Sequence, residues 1–327
     1  MSALNILCFL GSFLSAICLA ATILTYVTFR VLRNLPGICL LNTSSGLFLA
    51  AVADVSNTWA TRNNVICGIS GVIKYCAWLG AFTWMALHAQ HMLRVFACSR
   101  WQPSAAKVDI NSRRKTLFWH ALIGWGIPFT YTALLLAFQF SKPLQVDLSF
   151  GVGAKLNRSS CWINGGDAAF HLSQDPFFIL LGFNLIAIVV TMAAIIRTRL
   201  ATRRASKTDV KTELAANLII LLKLGVAMGA TWLPVVFYRL TREQLLLEVH
   251  YFLNSYLGVF LFIAFNFTRR VRQLWREKLA QMGCPTSPGG RRLMKSPNAS
   301  GTGSSQATTS SSLTQLNADR KNVYSVS

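Results

Sequence analysis

The sequence has few charged residues, and acidic ones are especially rare. Of its 327 residues, 13% are charged, with 11 Asp and Glu against 32 Lys and Arg. Soluble globular chains carry roughly a quarter charged residues, so this chain lacks the polar surface that a soluble fold of its size needs. A net charge of +21 would suit a nucleic-acid-binding protein only if the basic residues shared one soluble face. Here they separate long apolar runs, so we expect no nucleic-acid partner.

Motifs of catalysis and cofactor binding are also missing. The chain has no Gly-rich phosphate loop and no catalytic triad, and the last long apolar run lacks the lysine that a retinal pump requires. His88 and His91 share a helix face and could ligate zinc, as in an intramembrane zinc hydrolase, but such a site needs a third ligand at the same depth. A neutral, hydrogen-bonded His88 is the better interpretation. We therefore expect no enzyme activity, cofactor or metal.

What the chain does have is apolar length. Hydrophobic residues make up 53% and the mean hydropathy is +0.44. A bilayer core takes about 20 consecutive apolar residues as a helix, and the sequence predicts an all-α integral membrane protein with a seven-transmembrane helix bundle over residues 1–268. The predicted helices are 4–29, 36–58, 67–96, 116–140, 176–198, 214–238 and 249–268. The first run is too long for a signal peptide and no basic segment precedes it.

The positions of Lys and Arg predict the orientation. With the N-terminus outside, 24 of the 32 basic residues fall on the inner side and six on the outer side. Cytoplasmic loops carry this excess in membrane proteins. We therefore expect a multi-pass membrane protein with its N-terminus outside and its C-terminus in the cytoplasm.

The segments after the seventh run have a different character. Residues 269–282 alternate apolar and charged residues at helical spacing, which predicts an amphipathic eighth helix on the inner membrane surface. Cys284 follows it, as either a palmitoylation site or a plain exposed thiol. Residues 283–327 are rich in Ser and Thr, and we expect a disordered cytoplasmic tail.

Two cysteines fall on the predicted outer, oxidising side. Cys67 opens the third run and Cys161 lies in the second outer loop, so we expect a disulfide between them rather than two free thiols. The sequon at Asn157 lies in the same loop and is a candidate glycosylation site.

Several short motifs, in the right order on the predicted helices, resemble the secretin/adhesion class of G-protein-coupled receptors, above all its methuselah-like branch. The motifs are Leu32–Gly37 with Leu40-Leu41-Asn42, Trp84-Met85, Gly124-Trp125-Gly126-Ile127-Pro128, Ser160-Cys161-Trp162-Ile163, Lys223 with Gly229-Ala230-Thr231-Trp232, and Leu253-Asn254-Ser255 with Gly258 and Phe262. Leu40, His88 and Leu257 depart from the class. Cyclic-AMP-receptor-like seven-helix receptors share the fourth-helix and loop motifs and stand as the alternative.

Adhesion receptors carry an extracellular autoproteolysis domain that releases a tethered agonist. Only about three residues precede the first predicted helix here, so we expect no such domain in this chain. It is then either a fragment or short form, or its agonist arrives from solution.

The resemblance implies a plasma-membrane receptor that signals an unidentified extracellular ligand to a heterotrimeric G protein, with arrestin binding through the tail as a candidate. In the outer part, Asp54 and Lys74 are intramembrane charges that would pair in a ligand pocket with Trp162; equally, Lys74 could snorkel to the interface. Candidate switch residues are His88, Trp232 and Pro234, of which Pro234 permits a kink in its helix. The candidate G-protein-facing residues are Arg94, Arg197, Arg203, Arg204 and Arg270.

Overall fold

The structure is a computed structural model that describes residues 3–97, 110–141, 148–155, 158–201 and 208–283. Asn157, Arg203, Arg204, Cys284 and the remaining tail lie outside these ranges.

Long helices make up most of the described chain. Their bounds are α1 Ala3–Thr28, α2 Leu35–Ala60, α3 Asn64–Ala97, α4 Ile110–Ser141, α5 Asp167–Ala201, α6 Thr208–Thr241, α7 Gln244–Ser255, α8 Leu257–Asn266 and α9 Arg269–Gln281. Within the described residues, α1 to α5 are each long and apolar enough to cross a membrane. Helices α7 and α8, which meet at a bend of 41°, are together long and apolar enough for a sixth span if the pair is one crossing. Helix α6 has 34 residues, also enough length for a crossing.

The observed bounds differ from the predicted ones at polar ends. Helix α5 begins at Asp167, so Pro176 lies inside the helix rather than at its start. Hydropathy marks only the part of a helix that lies in the bilayer, whereas the helix continues into the aqueous phase. The seventh predicted helix is broken at Tyr256, between α7 and α8.

A β-hairpin occupies the loop between α4 and α5 and was missed by the sequence analysis. Strand β1 is Leu148–Lys155 and strand β2 is Arg158–Gly165, and they pair antiparallel. The all-α prediction therefore holds for the bundle but was wrong for this loop. Two eight-residue strands leave little periodic signal in the sequence, and packing against α3 supports them.

Helix α3 lies at the centre of the bundle. Its side chains Tyr75, Phe82 and Met85 are fully buried in the main core. Close packing against α4 depends on small residues, because a Cβ on Gly80 would meet the Trp125 ring at 2.8 Å. Trp125 in turn donates a hydrogen bond to Asn42 Oδ1 of α2 at 3.0 Å. Residues of two of the receptor-like motifs thus join α2 to α4.

Helix α9 packs against the C-terminal end of α1. Thr268 caps its first turn, with the backbone N–H of Val271 donating to the Thr268 hydroxyl. Trp275 Nε1 donates to Thr25 Oγ1 at 3.3 Å, and its ring meets Phe29 edge-on with centroids 5.1 Å apart. These contacts fix the direction of α9 as it leaves the bundle.

Candidate functional site: the outer cavity

A cavity of about 290 Å³ lies at the end of the bundle that carries the hairpin. Its wall includes residues from α1, α2, α3, α5, α6 and α7 together with β2. This size is at the lower end of small-molecule pockets, which enclose about 300–1,000 Å³. The lining residues used below are Asp54, Lys74, Trp78, Trp162, Trp232, His250 and Asn254.

A disulfide anchors the hairpin over this cavity. Cys67 of α3 is bonded to Cys161 of β2, with Cα atoms 5.0 Å apart, as the sequence predicts. The backbone N–H of Cys161 also donates to Asn57 Oδ1 of α2 at 3.4 Å. These bonds place the next residue, Trp162, in the cavity wall.

The two intramembrane charges of the outer part form an ion pair. Lys74 Nζ lies 2.5 Å from Asp54 Oδ1, and the side chains are 12% and 26% exposed. Asn57 Nδ2 donates to the same carboxylate oxygen at 3.3 Å, and the Lys74 ammonium lies 5.1 Å from the centroid of the Trp162 ring. Of the two interpretations left open by the sequence, the structure therefore has Lys74 paired with Asp54 rather than snorkelling. The three predicted pocket residues also lie together.

Trp232 joins the cavity to the core of the bundle. Its ring packs against Phe82 of α3 and Phe177 of α5, with centroid distances of 5.0 and 4.9 Å. It also meets His250 of α7 edge-on at 5.2 Å. Pro234 lies two residues later inside α6. A ligand that displaces Trp232 would therefore disturb three helices at once.

His250 ties α6 to α7 beside Trp232. Its Nδ1 lies 2.8 Å from the carbonyl oxygen of Thr231, and because a carbonyl only accepts, Nδ1 carries the proton. The other ring nitrogen, Nε2, then accepts from Asn254 Nδ2, which lies 3.0 Å away. The sequence analysis missed His250 and Trp78 as cavity residues. Trp78 lies one helical turn from Lys74, on the same face of the helix, so the sequence could have identified it as a cavity residue.

The other predicted residues lie away from the cavity. His88 is fully buried in α3, about 20 Å from the level of Lys74 at the helical rise of 1.5 Å per residue. The switch candidates therefore do not form one cluster. Neither ring nitrogen of His88 has a hydrogen-bond partner among the described residues, so the prediction of a hydrogen-bonded His88 was wrong. Arg94, Arg197 and Arg270 are exposed near the opposite end of the bundle from the disulfide.

Within the described ranges, no group of three or more His, Cys, Asp or Glu side chains could hold a metal ion. His88 and His91 thus lack a third ligand among the residues whose placement is described.

Known proteins resemble the chain over most of its length. The family described as 7 transmembrane receptor (Secretin family) matches residues 1–261. Adhesion G-protein coupled receptor G2 of Homo sapiens is 25% identical over 295 residues, which cover 85% of this chain and 26% of that protein. Probable G-protein coupled receptor Mth-like 4 of Drosophila melanogaster is 26% identical over 262 residues, covering 77% of this chain and 48% of the relative. The chain thus spans half or less of the length of these relatives.

Proposed function

This chain belongs to the secretin family of seven-transmembrane receptors, and on that premise we propose that it carries an extracellular ligand signal to heterotrimeric G proteins. The family is one of multi-pass signalling receptors, so the chain is a receptor and not an enzyme. Between the two receptor classes that share its motifs, the family match favours the secretin class.

The observation that carries the proposal is the contact between the outer cavity and Trp232. The ligand binds among Asp54, Lys74 and Trp162 and changes the packing of Trp232 against α3, α5 and α7. Pro234 allows α6 to bend at this level because it removes one backbone hydrogen bond. The ligand can shift the receptor only to the extent that it binds the two arrangements with different free energies.

The inner end of the bundle receives the G protein. We infer that outward movement of α6 opens a basic surface to the C-terminal helix of a G-protein α subunit. Support comes from the exposed Arg94, Arg197 and Arg270, together with Arg203 and Arg204 in the basic loop between α5 and α6. The outward movement of α6 and the G-protein contacts of these five arginines are both parts of the proposal.

The orientation and modifications complete the proposal. The N-terminus and the hairpin face outside, with Asn157 as a glycan site, and the tail faces the cytoplasm, where it is available to arrestin. Helix α9 lies on the inner membrane surface, anchored by a palmitoyl group on Cys284. The charge bias of the sequence and the disulfide on the hairpin side support this orientation.

The test is nucleotide exchange on a panel of G-protein α subunits, in membranes that display the chain at verified surface levels. We expect exchange above mock-transfected membranes, and loss of that excess when Arg203 and Arg204 are replaced by Ala. Exchange equal to mock across the panel, with normal surface display, would contradict the proposal.

A further inference from the structure

A cluster of three ionisable side chains joins α5 to α6 at the end of the bundle that carries the hairpin, and the outer cavity does not use it. Arg239 Nη1 of α6 donates to Asp175 Oδ1 of α5 at 2.7 Å, and Arg239 Nη2 lies 2.7 Å from His171 Nδ1. His171 Nδ1 also lies 3.3 Å from the other oxygen of Asp175. The guanidinium further packs 5.4 Å from the centroid of the Phe178 ring.

Arg239 and Asp175 make different demands on Nδ1 of His171. A guanidinium has only donors, so at 2.7 Å the facing Nδ1 of His171 must offer a lone pair. A protonated imidazole donates from both nitrogens, so it could not accept from Arg239. Its Nδ1–H would instead turn to Asp175 Oδ2, and two cations would then compete for one carboxylate. Proton uptake therefore exchanges the partner of His171 and weakens the tie between α5 and α6.

The cluster is open to water, since the side chains of His171 and Asp175 are 52% and 42% exposed. Among the side chains that the structure describes, few other ionisable groups surround it. From α3 and α4, the hydroxyls of Tyr75 and Tyr131 donate to α5 carbonyls. The side chains of β2 that are described, those of residues 161–165, include no free ionisable group. The remaining ionisable groups of these two helix ends are Asp167, Tyr238, Arg242 and Glu243.

We propose that His171, Asp175 and Arg239 form an extracellular proton-binding site that regulates the movement of α6. Imidazole is the side chain that changes charge between about pH 5 and 8 without special surroundings. Proton binding loosens the outer end of α6 and so raises the exchange activity of the receptor. This step rests on the proposed function, since it acts through α6 and through the outside location of the hairpin.

The first test measures the proton directly and needs no G protein. The chain has five histidines, so ¹³C-labelled histidine in the receptor in lipid nanodiscs gives few signals, and His171→Gln assigns the one of interest. We expect this signal to change as the pH is lowered. The midpoint of the change should move to higher pH in Arg239→Gln, because a neighbouring cation is removed, and to lower pH in Asp175→Asn. Arg242→Gln is the matched control and should leave the midpoint in place.

The second test asks whether the site regulates. Nucleotide exchange is measured in cells while the external solution is taken from about pH 7.5 to about pH 5.5, and we expect a rise of about threefold or more that is absent in His171→Gln. His120→Gln, on the opposite end of the bundle, should retain the rise. A His171 signal that does not titrate, or a midpoint unmoved by Arg239→Gln, would overturn the proton site. A His171 signal that titrates as expected, together with nucleotide exchange that does not depend on pH, would overturn the regulatory role of the site while leaving the proposed function intact.

Discussion

The outer half of the bundle, which carries the hairpin, and the opposite, inner half each pair some buried polar groups across helices and leave others unpaired. In the outer half, Lys74 pairs with Asp54, Tyr75 with a carbonyl of α5 and His250 with a carbonyl of α6. Buried atoms of Ser70, Trp232 and Asn254 in this half have no hydrogen-bond partner among the described residues. In the inner half, several buried polar atoms have no hydrogen-bond partner among the described residues. They belong to Thr43, Ser44, Trp84, His88, Thr191 and Asn266.

The two halves differ in the bonds that hold them. A disulfide and an ion pair hold the outer half in one geometry, which suits a cavity that must recognise a ligand. The inner half is joined by hydrogen bonds: Lys223 of α6 donates to the Ala264 carbonyl of α8 at 2.6 Å, and Asn266 of α8 donates to the Thr22 hydroxyl of α1 at 2.7 Å. A buried polar atom without a partner costs about 1–3 kcal/mol, so a rearrangement of the inner half that gave its unpaired atoms partners would be stabilised.

Breaking the covalent tie of the outer half should have the largest effect. Replacing Cys67 by Ser removes the bond between α3 and β2, and loss of a native disulfide costs about 2–5 kcal/mol. We expect a sharp fall in thermal stability and in surface display, measured by unfolding of purified protein and by an epitope tag. Cys18→Ser is the control, since Cys18 is a free cysteine in α1. Equal losses of thermal stability and surface display in Cys67→Ser and Cys18→Ser would contradict a stabilising role of the disulfide.

Removing one charge of the outer ion pair should come next. Lys74→Met leaves the Asp54 carboxylate without its partner in a partly buried site, which costs up to about 3 kcal/mol. We expect the ligand response to be lost while surface display is retained. The exchange of both charges, Lys74→Asp with Asp54→Lys, should restore part of the response. Loss of surface display in Lys74→Met would instead assign the pair a structural role.

Cutting the inner tie should have a smaller effect of the opposite sign. In Lys223→Met, α6 loses a charge-assisted hydrogen bond to α8, worth about 1.5–3 kcal/mol. Basal nucleotide exchange should therefore rise by about tenfold, measured without ligand at matched surface levels. Lys278→Met, which removes only a contact of α9 with Phe29, should leave the basal rate unchanged. A lower basal rate in Lys223→Met would show that this bond supports the active arrangement.

The smallest expected effect is a gain in stability at His88. Both ring nitrogens are buried without a partner in the described chain, so His88→Leu removes an unsatisfied polar group and should raise the free energy of unfolding by about 1 kcal/mol. Thermal unfolding of purified protein measures this change. His120→Leu should lower stability instead, because His120 Nδ1 bonds the Thr116 carbonyl at 2.7 Å. If His88→Leu lowers the stability instead, the His88 ring has hydrogen-bond partners in the folded protein.

Much of this architecture could be predicted from the sequence because the signals are local. An apolar run long enough for the bilayer predicts a transmembrane helix regardless of which helices pack against it. The unequal distribution of Lys and Arg predicts the orientation of the chain in the membrane. The Cys67–Cys161 pair followed from both cysteines lying on one side of the membrane. Where the polypeptide leaves the bilayer, these signals end, which is why the hairpin and the early start of α5 were missed.

The sequence by itself therefore determined the membrane class, the receptor family and the partners of the outer disulfide. Only the tertiary structure decided that Lys74 pairs with Asp54, that Trp232 contacts His250, and that His171 and Asp175 meet Arg239. The reason is physical. Hydropathy reports the depth of a residue in the membrane, but the rotation and tilt of each helix are set by packing against its neighbours, and these decide which side chains meet.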